Sequence, residues 1–373
     1  MSIKGIFEEL ASFQNLLRAE RNVAKGKKYN IEVMAFRRDL EEHLWDMHDA
    51  IMRLELPPAH YSTFLVYIPK VRRVIYIDYT SKIIQRAIYD VVNPLVCKSF
   101  IEDTYSCIEG RGQLAAMTRL YGWFKETRHS GQKWYYYKFD VAKFFYRIDH
   151  EVMMEICQKM IGDKRAVKLM EYYICSNKRP FGMPLTADHL TIREEDMLWD
   201  CGIPIGGGLS HMLGNMYLHP LDEYCKRVLR IKKYIRYMDD IIIMDTDKAR
   251  LQWCRMKMEI FIEEKLRLEF NRKTALRPVS CGCEFVGYRI FDDHVILRKQ
   301  TTLRMRRNLA GVAHRYNIGK INFTRANETV QSYKAMLKHV NSTRFEEKLW
   351  TNFVLTRNSN KECGNECGDG EVL

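Results

Sequence analysis

The decapeptide YIRYMDDIII, residues 234–243, places two adjacent carboxylates, Asp239 and Asp240, inside a run of aromatic and β-branched residues. Such a run suits a buried strand hairpin. An isolated ionised carboxylate is very costly to bury there unless a cation meets it. The chain must therefore fold so that positive charge reaches the hairpin. Lys232, Lys233 and Arg236 lie nearby in sequence, all on the N-terminal side.

A second stretch, WYYYKFDVAKFF at 134–145, reads as a strand ending in Asp140. If that strand faces the hairpin, three carboxylates that offer only oxygen ligands converge on one point. Hard divalent ions accept that donor set, and Mg²⁺ in particular takes carboxylates while leaving positions for water and phosphate oxygens. Two such ions, about 4 Å apart, activate an attacking hydroxyl and stabilise a leaving pyrophosphate. An Asp-Asp pair alone would equally suit a solvated loop. Here apolar residues flank it on both sides.

The rest of the chain has helical and strand periodicity in alternation. Residues 5–55 read as two amphipathic helices around a basic turn at 25–28. FLVYIPKVRRVIYI at 64–77 reads as a hairpin with a basic turn, and a helix follows that stops near Pro94. Asp149 looks like the N-cap of a helix, and a further helix spans 164–175. The polar, turn-rich stretch at 176–200 reads as a surface insertion. A glycine-rich loop at 202–208 opens into a helix, and the final ~80 residues carry a basic helix and a Gly/Cys/Asn-rich tail. The order suggests an α+β fold, with an antiparallel sheet carrying the acids, helices behind it and a helical C-terminal unit.

Sixty Lys and Arg against 47 Asp and Glu leave a formal charge of +13, which favours polyanionic partners such as nucleic acid. Eleven cysteines show no paired framework, so reduced thiols in a cytoplasmic compartment are expected. Cys281 with Cys283, and Cys363 with Cys367, hint at metal without the second pair that a zinc site needs. No window is apolar enough to suggest a membrane span.

FDVAKFF, GIPIGGGLSHMLGN, YMDD, LEFNRKT and FVGYRI occur in an order that resembles bacterial reverse transcriptases of the group II intron, retron and diversity-generating retroelement lineage. Defence-associated enzymes belong to the same circle of relatives. The resemblance implies a right-hand polymerase fold: an N-terminal helical extension at 1–60, fingers and palm at 61–290, a helical thumb at 291–355 and a disordered tail at 356–373. It implies Asp140 and Asp239 as principal metal ligands, with Asp240 and the Val141 carbonyl in support, around two Mg²⁺ ions that Mn²⁺ could replace. Lys70 and Arg72 would grasp the triphosphate and Lys273 would protonate the pyrophosphate. Phe145 would exclude a 2′-hydroxyl, although an ordinary core Phe would look the same in sequence.

Ile205, Ser210 and His211 would line the nucleotide. Intron enzymes place Gln at the position of Ile205, and the apolar residue here implies relaxed fidelity. Diversity-generating enzymes follow the serine with Gln, where this chain has His211. Arg111, Tyr237 and Met238 would meet template and primer, Phe285, Gly287 and Tyr288 would hold the primer end, and Arg304 and Arg307 would run along duplex phosphates. The implied function is RNA-directed DNA synthesis with dNTPs and a DNA or RNA primer. Its template would be a dedicated noncoding RNA, with an accessory protein as partner, in a diversity-generating or antiviral system. A template-independent or RNA-synthesising polymerase, or a catalytically idle RNA-binding scaffold, stands as the alternative.

Overall fold

A computed structural model describes residues 5–27, 29–57, 59–67, 71–175, 179–204, 207–272 and 274–357, with only the backbone of Arg72. The chain divides into two compact units, residues 1–123 with 130–279, and residues 124–129 with 280–373.

The first unit begins with four helices, α1 (Phe7–Ala11), α2 (Phe13–Ala24), α3 (Ile31–Arg38) and α4 (Leu40–Arg53), where the sequence suggests two. The extra breaks fall at Ser12, which caps α2 by accepting from the Asn15 N–H, and at Asp39, where the backbone leaves helical geometry between α3 and α4 without a side-chain cap. The expected turn separates α2 from α3, which Asn30 caps by accepting from Glu32 and Val33. These helices pack on the core through the buried Glu20, which pairs with Arg37 at 2.7 Å and accepts from the Tyr79 hydroxyl at 2.8 Å.

β1 (Tyr61–Val66) and β2 (Arg72–Ile77) form a two-stranded antiparallel hairpin. α5 (Tyr79–Val96) then crosses the core and ends two residues past Pro94, which lies in its last turn. In the last turn a proline forfeits a single intrahelical bond, which the packing of Val91, Val92 and Val96 outweighs. α6 (Gln113–His129) leads to β3 (Tyr135–Asp140), and the short α7 (Phe144–Arg147) precedes α8 (His150–Met160) and α9 (Lys164–Ile174). Asp149 caps α8 by accepting from the Val152 N–H at 3.0 Å.

α10 (Gly208–Glu223), β4 (Lys233–Tyr237), β5 (Asp240–Asp245), α11 (Lys248–Leu266) and β6 (Ala275–Pro278) complete the unit. The sheet order is β4-β5-β3-β6, antiparallel throughout, and the buried Ile241, Ile242 and Ile243 of its central strand join it to the surrounding helices.

The second unit holds the three-stranded sheet β7 (Cys283–Phe285), β8 (Tyr288–Ile290) and β9 (Val295–Leu297). Three helices follow, α12 (Lys299–Asn317), α13 (Phe323–Leu337) and α14 (Thr343–Thr351). Cys281 is exposed and Cys283 buried, while Cys363 and Cys367 lie outside the described residues. No helix among the described residues is long and apolar enough to cross a membrane.

Candidate active site

The β4–β5 hairpin is tight. Tyr237 pairs with Asp240, which leaves Met238 and Asp239 as the two turn residues. Met238 takes φ +56°, a left-handed conformation that such turns usually give to glycine. Its carbonyl accepts from Arg236 Nη1 at 3.1 Å. Its sulfur lies over Gly214, where a Cβ would meet it at 3.2 Å.

Arg236 and Asp222 are both fully buried and joined by a two-pronged ion pair, Nε to Oδ1 at 2.8 Å and Nη2 to Oδ2 at 2.6 Å. Tyr234 and Thr104 donate to the remaining lone pairs of Asp222, and Asn215 Oδ1 accepts from Arg236 Nη1 at 3.0 Å. A buried ion pair is tolerated only when its spare donors and acceptors are met in this way. Arg236 therefore serves Asp222 and the turn backbone, and it does not form an ion pair with Asp239 or Asp240.

The acids lie at the end of the sheet. The register pairs Asp140 with Asp240, and Lys138, two residues earlier on the same face, reaches Asp240 at 3.1 Å. Asp240 thus has a protein cation. Asp239 has a repulsive surrounding: burial, then the charges of Asp140 and Asp240, push its carboxyl up to about 7, and Lys138 opposes this only weakly. The backbone continues the arrangement, because the Asn271 N–H binds the Asp140 carbonyl at 2.6 Å and the Ala142 N–H binds the Glu269 carbonyl at 2.8 Å. Those two bonds flank the Val141–Phe270 bridge, so the Val141 carbonyl points away from Phe270 and toward the β5 side.

Among the described residues no three His, Cys, Asp or Glu side chains stand together as a ready-made metal cage. Asp240 pairs with Lys138, and both Asp140 and Asp240 stand near enough for their charges to act on Asp239. This set fits Mg²⁺, which is commonly held by one or two carboxylates together with substrate phosphates. The unrelieved repulsion at Asp239 is what such an ion would cancel.

Beside the acids, the half-buried Phe145 meets the His211 ring edge-on at 5.8 Å and Phe144 at 5.1 Å. A Cβ at Gly214 would lie 3.3 Å from the Phe145 ring, so this glycine makes room for that ring and the turn at once. His211 Nδ1 donates to the Gly207 carbonyl at 3.0 Å, and burial lowers its pKa, which keeps the ring neutral with Nε2 as an acceptor. Ser210 donates to the Pro204 carbonyl at 2.5 Å. Tyr237 is half-buried and its hydroxyl pKa is raised by burial.

Arg111 Nη1 faces the carbonyls of Ile101, Glu102 and Thr104 at 2.9 to 3.2 Å and so fixes that loop. Lys70, Ile205 and Lys273, and the side chain of Arg72, lie outside the described residues.

In the second unit, Phe285 and Tyr288 are buried on adjacent strands, and burial raises the Tyr288 pKa. Gly287 between them has φ +92° and accepts from the Arg298 N–H and the Thr301 hydroxyl, both at 3.0 Å. That conformation requires glycine. Arg304 and Arg307 are exposed on α12.

Sequence reasoning missed Lys138, Asn215, Asp222 and Gly214. Only the Gly-Asn pair ending the glycine-rich motif signals any of them.

A four-stranded antiparallel sheet with acids at a strand end and a hairpin turn, backed by helices, is the palm of a right-hand polymerase. Residues 68–290 match the family described as Reverse transcriptase (RNA-dependent DNA polymerase). The chain belongs to that family, whose defining reaction is RNA-directed DNA synthesis. Protein YkfC of Escherichia coli (strain K12) is 24% identical, over 64% of this chain and 70% of its own length. Group II intron-encoded protein LtrA of Lactococcus lactis subsp. cremoris is 23% identical over 57% of this chain. The chain spans 43% of LtrA, less than half of that relative. A solved structure of apo telomerase from Candida tropicalis, truncated from the C-terminal domain, aligns with 64% of this chain and 55% of its own, at 13% identity and TM-score 0.46.

Proposed function

We propose that the protein extends a DNA or RNA primer along an RNA template with deoxynucleoside triphosphates. The carrying observation is geometric: the register sets Asp140 opposite Asp240 at the end of the palm sheet, with the half-buried Asp239 in the adjoining turn. When bound there, a pair of Mg²⁺ ions would supply an activated 3′-hydroxyl and charge neutralisation at the leaving pyrophosphate. Asp140, Asp239 and the Val141 carbonyl would hold them, with Asp240, paired with Lys138, in support. Lys70 and Arg72 would take the triphosphate and Lys273 would deliver a proton to pyrophosphate. Ser210 and the acceptor face of His211 would border the nucleotide beside Ile205. Phe285, Gly287, Tyr288, Arg304 and Arg307 would carry primer and duplex, and Arg111, Tyr237 and Met238 the template side.

Phe145 would close the space below the sugar. Phe145→Ala should therefore admit ribonucleotides, lowering the preference for dNTPs by about one to two orders of magnitude, the scale of a single steric discrimination. Single-nucleotide primer extension on an RNA template measures this. Unchanged discrimination would show that Phe145 is only core.

The finer reading is a domesticated or defence-type enzyme of the cytoplasm. It would copy a dedicated noncoding RNA, with an accessory protein as partner, and Ser210-His211 in place of the Ser-Gln of diversity-generating enzymes favours it over that group. Sequencing the RNA that copurifies with the protein, and its cDNA, tests this. Random cellular RNA without a recurrent cDNA would refute it.

A further inference from the structure

The 176–200 stretch reads in sequence as a polar surface insertion, yet its described part is built into the fold. Phe181, Met183 and Ile192 are buried. Its two legs cross tightly: Gly182 and Leu198 exchange two backbone bonds at 3.0 Å. At the same crossing Gly202 has φ +88°, and a Cβ there would lie 2.5 Å from the Gly182 nitrogen. No side chain fits at that point.

Beyond the crossing the loop binds two places. On the β1–β2 hairpin, Arg73 donates through Nη1 to the Ile192 carbonyl at 3.3 Å and through Nη2 to the Leu190 carbonyl at 3.1 Å. His189 Nε2 donates to the Val71 carbonyl at 3.1 Å, and the Phe181 ring sits edge-on to Tyr61 at 5.0 Å. Beside the acids, Lys143 donates to the Pro184 carbonyl at 2.9 Å and to the Ala187 carbonyl. The legs then hold α7 by its backbone: Ile203 N–H to Phe145 O at 2.9 Å, Met183 N–H to Tyr146 O at 3.2 Å and Gly202 N–H to Ile148 O at 2.7 Å.

Both bound elements need outside support. The hairpin has two strands and its first strand is exposed over most of its length, and a lone two-stranded hairpin is marginally stable in water. α7 has four residues, fewer than a helix needs to hold itself. One loop therefore sets the position of both.

We propose that residues 179–204 form a strut that fixes the β1–β2 hairpin relative to the Phe145 gate, with Arg73 and Lys143 as positioning residues that act through it in nucleotide selection. The assignment of a selection role rests on the polymerase reading above. Arg73 lies one residue from the proposed triphosphate ligand Arg72, but both of its terminal nitrogens face loop carbonyls. A charged fork committed to backbone acceptors orders a loop.

The test combines three proteins: Arg73→Ala, replacement of 185–196 by a Gly-Ser-Gly linker, and the two together. The strut predicts that each single change raises the KM for dNTPs by roughly tenfold with a smaller effect on kcat, as displaced positioning does. Discrimination against ribonucleotides should fall with it. The double change should be no worse than the linker alone, because Arg73 then has nothing to hold. Additive losses would assign Arg73 to the phosphates and overturn the strut. Lys143→Met, which leaves the chain length intact, serves where the linker variant fails to fold, and its KM should move in the same direction.

Hydrogen exchange provides a readout free of activity. Amides of β1 and β2 should exchange faster in Arg73→Ala than in the wild type even if neither protein polymerises, and unchanged exchange would overturn the strut. Absence of polymerisation by the wild type, with faster exchange in the variant, would sink the polymerase reading and leave the strut standing.

Discussion

Arg236→Met should lower the stability of the palm unit by about 3–5 kcal/mol, the cost of removing one partner from a buried ion pair. Asp222 would be left fully buried and charged without its cation, and the Met238 carbonyl would lose its donor. The turn would then keep its left-handed residue without the contact that enforces it, so primer extension should fall at least as far as the folded fraction. Asn215→Ala is the milder form of the same lesion. It removes the acceptor for Arg236 and the donor to the Ser106 carbonyl, and should cost about 1–3 kcal/mol. Urea unfolding followed by tryptophan fluorescence measures both. Wild-type stability in Arg236→Met would mean that the buried network is not what holds the hairpin.

Asp239→Asn should reduce polymerisation by at least ~10²–10³-fold, the scale on which one preorganised electrostatic group acts. In metal-free buffer the same variant should be more stable than the wild type, and the sign follows from linkage. The Asp239 carboxyl stands at about 7 in the folded protein, above the ordinary 3.8, so the folded state binds its proton more tightly than the unfolded state does. Its penalty is absent below pH ~4, grows as the pH rises through the interval up to ~7, and is complete above it. The variant should therefore melt a few degrees higher than the wild type at pH 8 with chelator, and at the same temperature near pH 4. Added Mg²⁺ should raise the wild-type midpoint at pH 8 and leave the variant nearly unmoved. Equal melting at pH 8 without metal would mean that the acids are relaxed and not held in repulsion.

The acids were legible because a carboxylate within an apolar run has few physical explanations, and because the five motifs follow one another in a fixed order. Asp149 as a cap and the hairpin at 64–77 were legible for the same local reason. Arg236 was visible only as a neighbouring charge. Its partner Asp222 is 14 residues away and reads in sequence as an ordinary helix acid. The strut was illegible on different grounds: Arg73 and Lys143 bind backbone carbonyls, which every residue has, so no residue type marks the acceptor. The polar composition of 176–200 pointed to solvent, whereas its polar groups flank three buried apolar side chains. The helix count in the first fifty residues failed because Ser12 and Asp39 each end one helix and start another without breaking the apolar periodicity.

The crossing of Gly182 and Gly202 makes the loop unequal along its length in what it tolerates. Residues 194–196 form an exposed turn whose side chains face solvent, so a short peptide tag spliced there should leave synthesis unchanged. One added methyl group, Gly182→Ala, would collide with the Cys201 sulfur at 2.6 Å and should silence the enzyme. Extra length is harmless at the bend, and a single carbon is not at the knot.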